Sequence, residues 1–379
     1  MSSTSGSLPN LSADDAAILD RTSESPLIPA PDLLVIGAEL TGLAAASLAA
    51  EKGWKVQVLS ESSLTETNSS RLPGLIWPSS LAGIAGDDER EFAFYCRDLW
   101  SRLTVRSGME FEWKVPGVVA LGGATGIPGW SDRLEELQAD GWSIQGIDAE
   151  QLQSLLPGWN RNEDRGLFFP ADGQINPLRA SLSFARNLLS RKSSVRTGLT
   201  VQLDGSIAEE KISLVKTSLG DIRPKWVLFN DRNLPEKSLS VQTTEQTVIR
   251  GFVPLTTPIC NQPVINDRTT IVPRTGGCEV FSLLDNEQGE AAAILQSAWN
   301  ETVARWTDPA CGQITGAVKL TRKISPNRFP RLDRLPDVSN AWWTLTDSND
   351  TLLSVGLGQR LLEWIQTGEF PAALNFLRP

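Results

Sequence analysis

The sequence predicts an α/β fold, and three observations carry that prediction. An apolar run, Leu33-Leu34-Val35-Ile36, leads through a turn from Gly37 to Gly42 into an Ala-rich stretch, Leu43 to Lys52. A second apolar run, Lys55-Val56-Gln57-Val58-Leu59, follows Gly53. Later, residues 248–282 mix β-branched residues with Pro and Gly, which predicts a separate antiparallel region.

Each element has a local reason. Residues 1–31 are rich in Ser, Pro and Ala and carry Asp14, Asp15, Asp20 and Glu24. A signal peptide has a basic start and an apolar middle, and a transit peptide avoids acids, so this segment reads as a disordered tail on a soluble cytoplasmic protein. A short, wholly apolar run suits a strand buried on both faces. The Ala-rich stretch is strongly helix-forming, and Gly53 supplies its stop. Two such strands joined by one helix are parallel. Beyond this βαβ unit, Phe92, Tyr95, Leu99 and Leu103 recur at helical spacing, predicting a helix over 91–103. Further helices are expected over 131–139, 149–156, 177–191, 290–306 and 352–367. Strands are expected over 195–201, 211–217 and 225–229, around Asp-Gly and Leu-Gly turns.

Composition narrows the function classes. The 379 residues contain 35 Lys and Arg against 45 Asp and Glu, a formal charge of −10. That balance argues against nucleic-acid and anionic-membrane partners, which select basic faces. The chain has no His, which removes Ser-His-Asp and Cys-His catalysis and every His metal ligand. Cys96, Cys260, Cys278 and Cys311 are far apart with no CxxC pair, so they read as separate buried thiols and no metal is expected. No apolar run is long enough to span a membrane. The partner, whether a small molecule or a protein, is not identified by the sequence.

The first turn is the most informative segment. A dinucleotide site takes G-x-G-x-x-G between strand and helix, with an acid at the end of the second strand. Here the turn reads Gly37-Ala38-Glu39-Leu40-Thr41-Gly42. The turn and packing glycines are present, but Glu39 stands where a phosphate approaches the backbone. Ser60 stands where the ribose acid is expected, and Glu61 comes one residue late. A carboxylate about 4 Å from a phosphate charge costs up to about 4 kcal/mol at an effective dielectric near 20. A helix N-terminus is also an anion site, so the Glu39 carboxylate is expected to occupy it in place of a phosphate.

Three further motifs are similar to those of the FAD-dependent oxidoreductases typified by D-amino-acid oxidase, glycine oxidase and sarcosine oxidase. Ser70-Arg71-Leu72-Pro73-Gly74-Leu75 resembles that family's loop beside the flavin. Asp172-Gly173-Gln174-Ile175-Asn176-Pro177 is similar to its D-G-x-[VI]-[DN]-P turn. The stretch from Arg322 to Pro330 is similar to R-P-x-[TS]-P-[DN]-x-x-P. The resemblance spans roughly residues 32–370. It implies a Rossmann-like FAD/NAD(P)-binding domain (32–110, 165–235 and 320–379) interleaved with an antiparallel-sheet substrate domain (111–164 and 236–319). It further implies FAD as cofactor, held by Gly37, Ala38, Gly42, Glu61, Ser70, Arg71 and Gly74, with Arg322 pairing a substrate carboxylate. Tyr95, Trp77 and Trp342-Trp343 are expected to be packing residues.

The departures also follow the cofactor. Glu39 and Ser60 are joined by Asp231, where the family has glycine, and by the turn Asp347-Ser348-Asn349-Asp350, where the family is glycine-rich. Val318 and Leu320 replace a Trp and a Gly before the arginine. The expected function is therefore a divergent family member with impaired or lost FAD binding, acting as a binding or scaffold protein. The alternatives are an active FAD-dependent oxidase of a small amine or amino acid, and a nucleotide or small-anion sensor.

Overall fold

The computed structural model describes residues 11–377 except 108, 122–129, 161–164, 203–206, 209, 231–243, 257–258, 267, 285–288, 307–311, 325–328 and 346–349. Two large sheets organise the chain. The first has six strands in the order β20 (Arg331–Arg334), β21 (Ala341–Leu345), β14 (Trp226–Asn230), β1 (Leu33–Ile36), β2 (Val56–Ser60) and β8 (Ser194–Thr197). All neighbours in it are parallel except β20 and β21. The second has eight strands, β19 (Thr315–Ile324), β15 (Thr244–Pro254), β18 (Gly277–Leu284), β17 (Thr270–Arg274), β16 (Val264–Ile265), β4 (Val118–Leu121), β6 (Gly166–Phe169) and β5 (Gln145–Ile147). It is antiparallel apart from the β16–β4 pair. A ribbon of β3 (Leu75–Ile76) and β7 (Gly173–Gln174) lies between the two. Small sheets of β9 (Val201–Gln202), β12 (Val215–Thr217) and β13 (Gly220–Ile222), and of β10 (Ile207–Ala208) and β11 (Lys211–Ile212), complete the strands.

The parallel sheet is covered on both faces, which explains its unbroken apolar runs. Leu33, Val35, Val56 and Val58 face helices α2 (Leu40–Glu51), α3 (Asp87–Ser107), α6 (Pro177–Ser190) and α8 (Asp350–Thr367). Leu34, Ile36, Leu59 and Phe229 face Ile212, Val215, Ile222 and Leu335 on the other side. Small residues let the helices close up. A Cβ on Gly358 of α8 would stand 2.8 Å from the Ala45 backbone nitrogen of α2, and one on Gly356 would stand 2.3 Å from Cys96 Sγ of α3. The outer face of the antiparallel sheet is covered by α5 (Ala149–Leu155) and α7 (Ala291–Val303) through Leu152, Leu295 and Trp299. Helix α4 (Trp130–Ala139) packs beside β5.

Two expectations need correction. Residues 13–24 are not a disordered tail but helix α1 (Ala13–Glu24). Ser12 and Asp15 form a capping box there, and Ile18 and Thr22 are buried. The following residues then run along the edge of the parallel sheet. Ile28 N–H donates to Gln57 Oε1 at 2.8 Å, and the Pro26 carbonyl accepts from Ser194 Oγ at 2.6 Å. The Ser- and Pro-rich composition hid a helix whose start is fixed by one local reciprocal bond pair. Second, residues 165–235 and 320–379 are expected in the Rossmann-like domain, but β6 and the whole of β19 pair within the antiparallel sheet. Cross-strand partners, Val118 to Leu121 for β6 and Thr244 to Phe252 for β19, decide that membership.

Candidate functional site

The turn from β1 into α2 lies at the carboxyl end of the parallel sheet, beside β14. Gly37 adopts φ +106°, and a Cβ there would meet the Asn230 carbonyl oxygen at 2.2 Å. Only glycine fits. Ala38 is buried beside it. A Cβ on Gly42 would stand 2.4 Å from Asn230 Oδ1, because that amide oxygen accepts the Gly42 N–H at 3.0 Å.

Glu39 does not do what the sequence suggested. It is the N-cap of α2 and makes no side-chain cap bond there. Its carboxylate instead accepts the N–H groups of Asn68 at 2.9 Å and Ser69 at 2.6 Å, at the start of the 3-10 turn Ser69–Arg71. A side chain on an extended N-cap residue (φ −72°, ψ 161°) reached the neighbouring loop, whose two successive N–H groups match its two oxygens.

The α2 N-terminus is satisfied by other side chains. The Leu40 N–H donates to Ser69 Oγ at 3.1 Å, and Ser69 Oγ in turn donates to Asp350 Oδ2 at 2.6 Å. Thr41 Oγ1 donates to Asp350 Oδ1 at 3.3 Å. Asp350 is fully buried and Glu39 nearly so. Of the first-turn N–H groups that an anion would use, two are therefore occupied by protein side chains. A diphosphate seated here would have to displace both and lie against two buried carboxylates, so the folded turn does not fit one. Asn230 was missed by sequence reasoning. Its one legible signal is a polar residue closing the apolar strand Trp226-Val227-Leu228-Phe229.

Other expected residues are placed as follows. Ser60 ends β2, buried, with its hydroxyl donating to the Ser62 carbonyl at 2.8 Å, while Glu61 is exposed. Ser70 Oγ donates to the Thr67 carbonyl at 3.0 Å, and Arg71 Nε donates to the Thr65 carbonyl at 3.4 Å. Gly74, at φ +72°, lies where a Cβ would meet the Ile175 carbonyl oxygen at 2.3 Å. The motifs around residues 70 and 172 are thus packed on each other, and the Ile175 N–H donates to the Gly74 carbonyl at 2.8 Å. Asp231, the 347–349 part of the acidic turn, Cys311 and residues 325–328 of the third motif lie outside the described residues.

Arg322 sits on β19 opposite Gln246 of β15, largely buried, and its Nε and Nη2 both donate to Gln246 Oε1 at 3.1 and 2.5 Å. Two positions along the same face of β15 from Val248, Arg250 joins Arg274 on one carboxylate, Glu279. Burial works against the charge of Glu279, but the two guanidinium groups outweigh it and hold its carboxyl below the usual range. Asp172, in the second motif, has the opposite balance. Burial pushes its carboxyl up to about 7, with Ser79 and Arg97 offsetting only part. Ser79 stands near it, but among the described residues neither carboxylate oxygen has a hydrogen bond of regular geometry.

The aromatic residues are packing groups, as expected. Trp77 meets Phe169 edge-on, Trp342 lies between Trp226 and Trp364, and Tyr95 packs on Phe92. Cys96, Cys260 and Cys278 are free and buried, and burial raises all three thiols, Cys260 to about 12. Among the described residues no group of acids and thiols is arranged to hold a metal ion, and no helix is long and apolar enough to cross a membrane.

Comparison with known proteins agrees with this architecture. The structure is similar to glycine oxidase from Geobacillus kaustophilus at 15% identity and TM-score 0.78, covering 93% of this chain and 98% of that one. It is similar to L-amino acid deaminase from Proteus myxofaciens, solved in complex with anthranilate, at 14% identity and TM-score 0.80, covering 94% of each chain. L-Proline dehydrogenase from P. horikoshii is also similar, at 16% identity and TM-score 0.71, with 91% and 96% covered. Comparison with curated protein sequences gives no match. The family model described as DAO, FAD dependent oxidoreductase, matches residues 32–229, just over half of the sequence. The chain belongs to the DAO family of FAD-dependent oxidoreductases.

Proposed function

We propose that this family member works without FAD bound in the usual way and acts as a binding or scaffold protein. The observation that carries the reading is the occupation of the α2 N-terminus by Ser69 Oγ and Asn230 Oδ1, with Asp350 one hydroxyl away. In flavin amine oxidation the cofactor takes the hydride and the protein positions the substrate. A closed cofactor site therefore removes the chemistry and leaves the fold as a rigid frame. The absence of His is compatible with this reading, since no imidazole is available to run a different reaction.

One observation favours the alternative, an active FAD-dependent oxidase of a small amine or amino acid. Arg322 stands largely buried on the sheet face beside Gln246, where a planar guanidinium fork suits a substrate carboxylate. The visible spectrum of the purified protein, followed by denaturation and analysis of released flavin, separates the two. The scaffold reading expects a colourless protein that stays colourless after incubation with excess FAD. Stoichiometric released FAD overturns it, and a screen of amines and amino acids follows.

A further inference from the structure

The buried arginines of the antiparallel sheet border a cleft. A cavity of about 40 Å³ opens between the start of α6 and the sheet, lined by Arg179, Arg250, Arg274, Glu112, Glu279 and Phe252 among others. Three guanidinium groups face two carboxylates there, leaving one positive charge in excess.

The hydrogen bonds of these groups show which donors are in use. Arg274 is fully engaged, with Nε on Glu279 Oε2 at 2.8 Å, Nη1 on the Ile175 carbonyl and Nη2 on the Pro73 carbonyl, both at 2.9 Å. Arg250 uses Nη1 on the Ser70 carbonyl at 3.2 Å and Nη2 on Glu279. Its Nε donates to no protein group among the described residues. At the rim, Arg179 Nε lies 2.8 Å from Glu112 Oε1, and its Nη1 and Nη2 donate to no group among the described residues. Asn176 Oδ1 caps the Arg179 N–H at 3.2 Å, so the helix terminus itself offers little to a ligand. The donors that remain are side-chain forks.

We propose that this cleft is a binding site for a small carboxylate, held between the free donors of Arg179 and Arg250. The physical case has three parts. A partly buried excess positive charge is stabilised by a counter-anion in contact with it. Planar guanidinium forks match a planar carboxylate bidentately. A cavity of about 40 Å³ holds about three water-sized groups, the size of one CO₂⁻ head, with the rest of the molecule directed out of the cleft. Arg274 also ties the cleft to the loop at Pro73 and to Ile175. None of the residues that line the cleft is among those that occupy the α2 N-terminus.

The test is thermal unfolding and calorimetric titration of the full chain with sodium acetate, against sodium chloride at a matched ionic strength of about 0.1 M, which cancels screening. The expected result is a saturable rise in the unfolding midpoint with acetate and none with chloride. Arg179→Ala, at a partly exposed position, is expected to weaken acetate binding about tenfold or more, as for a lost charge-assisted bond. Glu112→Gln removes a competing carboxylate and is expected to tighten acetate binding several-fold. Acetate and chloride acting alike overturns the proposal. So does an Arg179→Ala variant that folds and keeps full acetate affinity, or a Glu112→Gln variant that binds more weakly. Saturation by inorganic phosphate but not by acetate overturns the carboxylate assignment.

Discussion

The α2 turn and the arginine cluster of the antiparallel sheet are both buried polar networks, yet they are satisfied in different ways. At the turn, acids meet neutral donors: Glu39 takes two backbone N–H groups, and Asp350 takes two hydroxyls. Every bond is internal, and the positive end of α2 is covered by the chain itself. At the sheet, one carboxylate serves two guanidinium groups, and the remaining donors of Arg250 face a cleft. The first network fills a helix end with protein groups, and the second leaves donors facing a cleft. The same local chemistry thus covers one helix end and leaves donors uncovered elsewhere. What differs is the number of charges of each sign, not the depth of burial.

Substitutions in each network sharpen this contrast. The largest effect is expected from Glu279→Ala, which strands two buried guanidinium groups and should cost about 3–5 kcal/mol in denaturant unfolding. A loss below about 1 kcal/mol would show that the pair contributes little.

Asp172 lies between the two regions, on the turn whose Ile175 carbonyl Arg274 holds. Its folded value of about 7 stands above an ordinary value of 3.8, so between those pH values the unfolded chain releases a proton that the folded chain keeps. The contribution of Asp172 is therefore full below about pH 4, falls as pH rises to about 7, and is level above. The loss is at most on the order of 4 kcal/mol. Asp172→Asn should match the parent near pH 4 and exceed it at pH 8. Equal pH profiles for the two proteins would remove Asp172 from the account.

Asp350→Asn weakens two hydroxyl-to-carboxylate bonds without emptying the site, and a cost of about 1.5–3 kcal/mol is expected. The sheet cluster should respond more strongly than the turn, since it strands charge and the turn does not. The reverse order of Glu279→Ala and Asp350→Asn would break the comparison. The smallest effect is expected from Gly42→Ala, where a new Cβ meets Asn230 Oδ1. About 1–3 kcal/mol should be lost, and Asn230→Ala in the same chain should recover part of it.

Much of the frame was legible because it is local. Leu33 to Leu59 declare two strands and a helix by composition alone, and their parallel pairing follows from chain connectivity. The glycines at 37, 42 and 74 were legible as turn and packing positions, and each is a place where a Cβ would collide with backbone or a side chain. Helix α1 was missed because its capping box spans only four residues within a Ser- and Pro-rich segment. The role of Glu39 was assigned to the wrong helix start. Sequence distance favoured its own helix, while the partner N–H groups at Asn68 and Ser69 are 29 and 30 residues away.

Sequence by itself determined the βαβ unit, the antiparallel region, the family resemblance and the presence of an acid where a phosphate is expected. These depend on periodicity, turn chemistry and residue identity within short windows. Only the tertiary structure decided what that acid touches and that Asn230 and Asp350 converge on one helix end from 188 and 309 residues away. It likewise decided that Arg179, Arg250 and Arg274, from one helix and two strands, share a single cleft. Hydrogen bonds and ion pairs act over about 3 Å of space and carry no trace of the chain length between their ends, so no spacing in the sequence could have announced them.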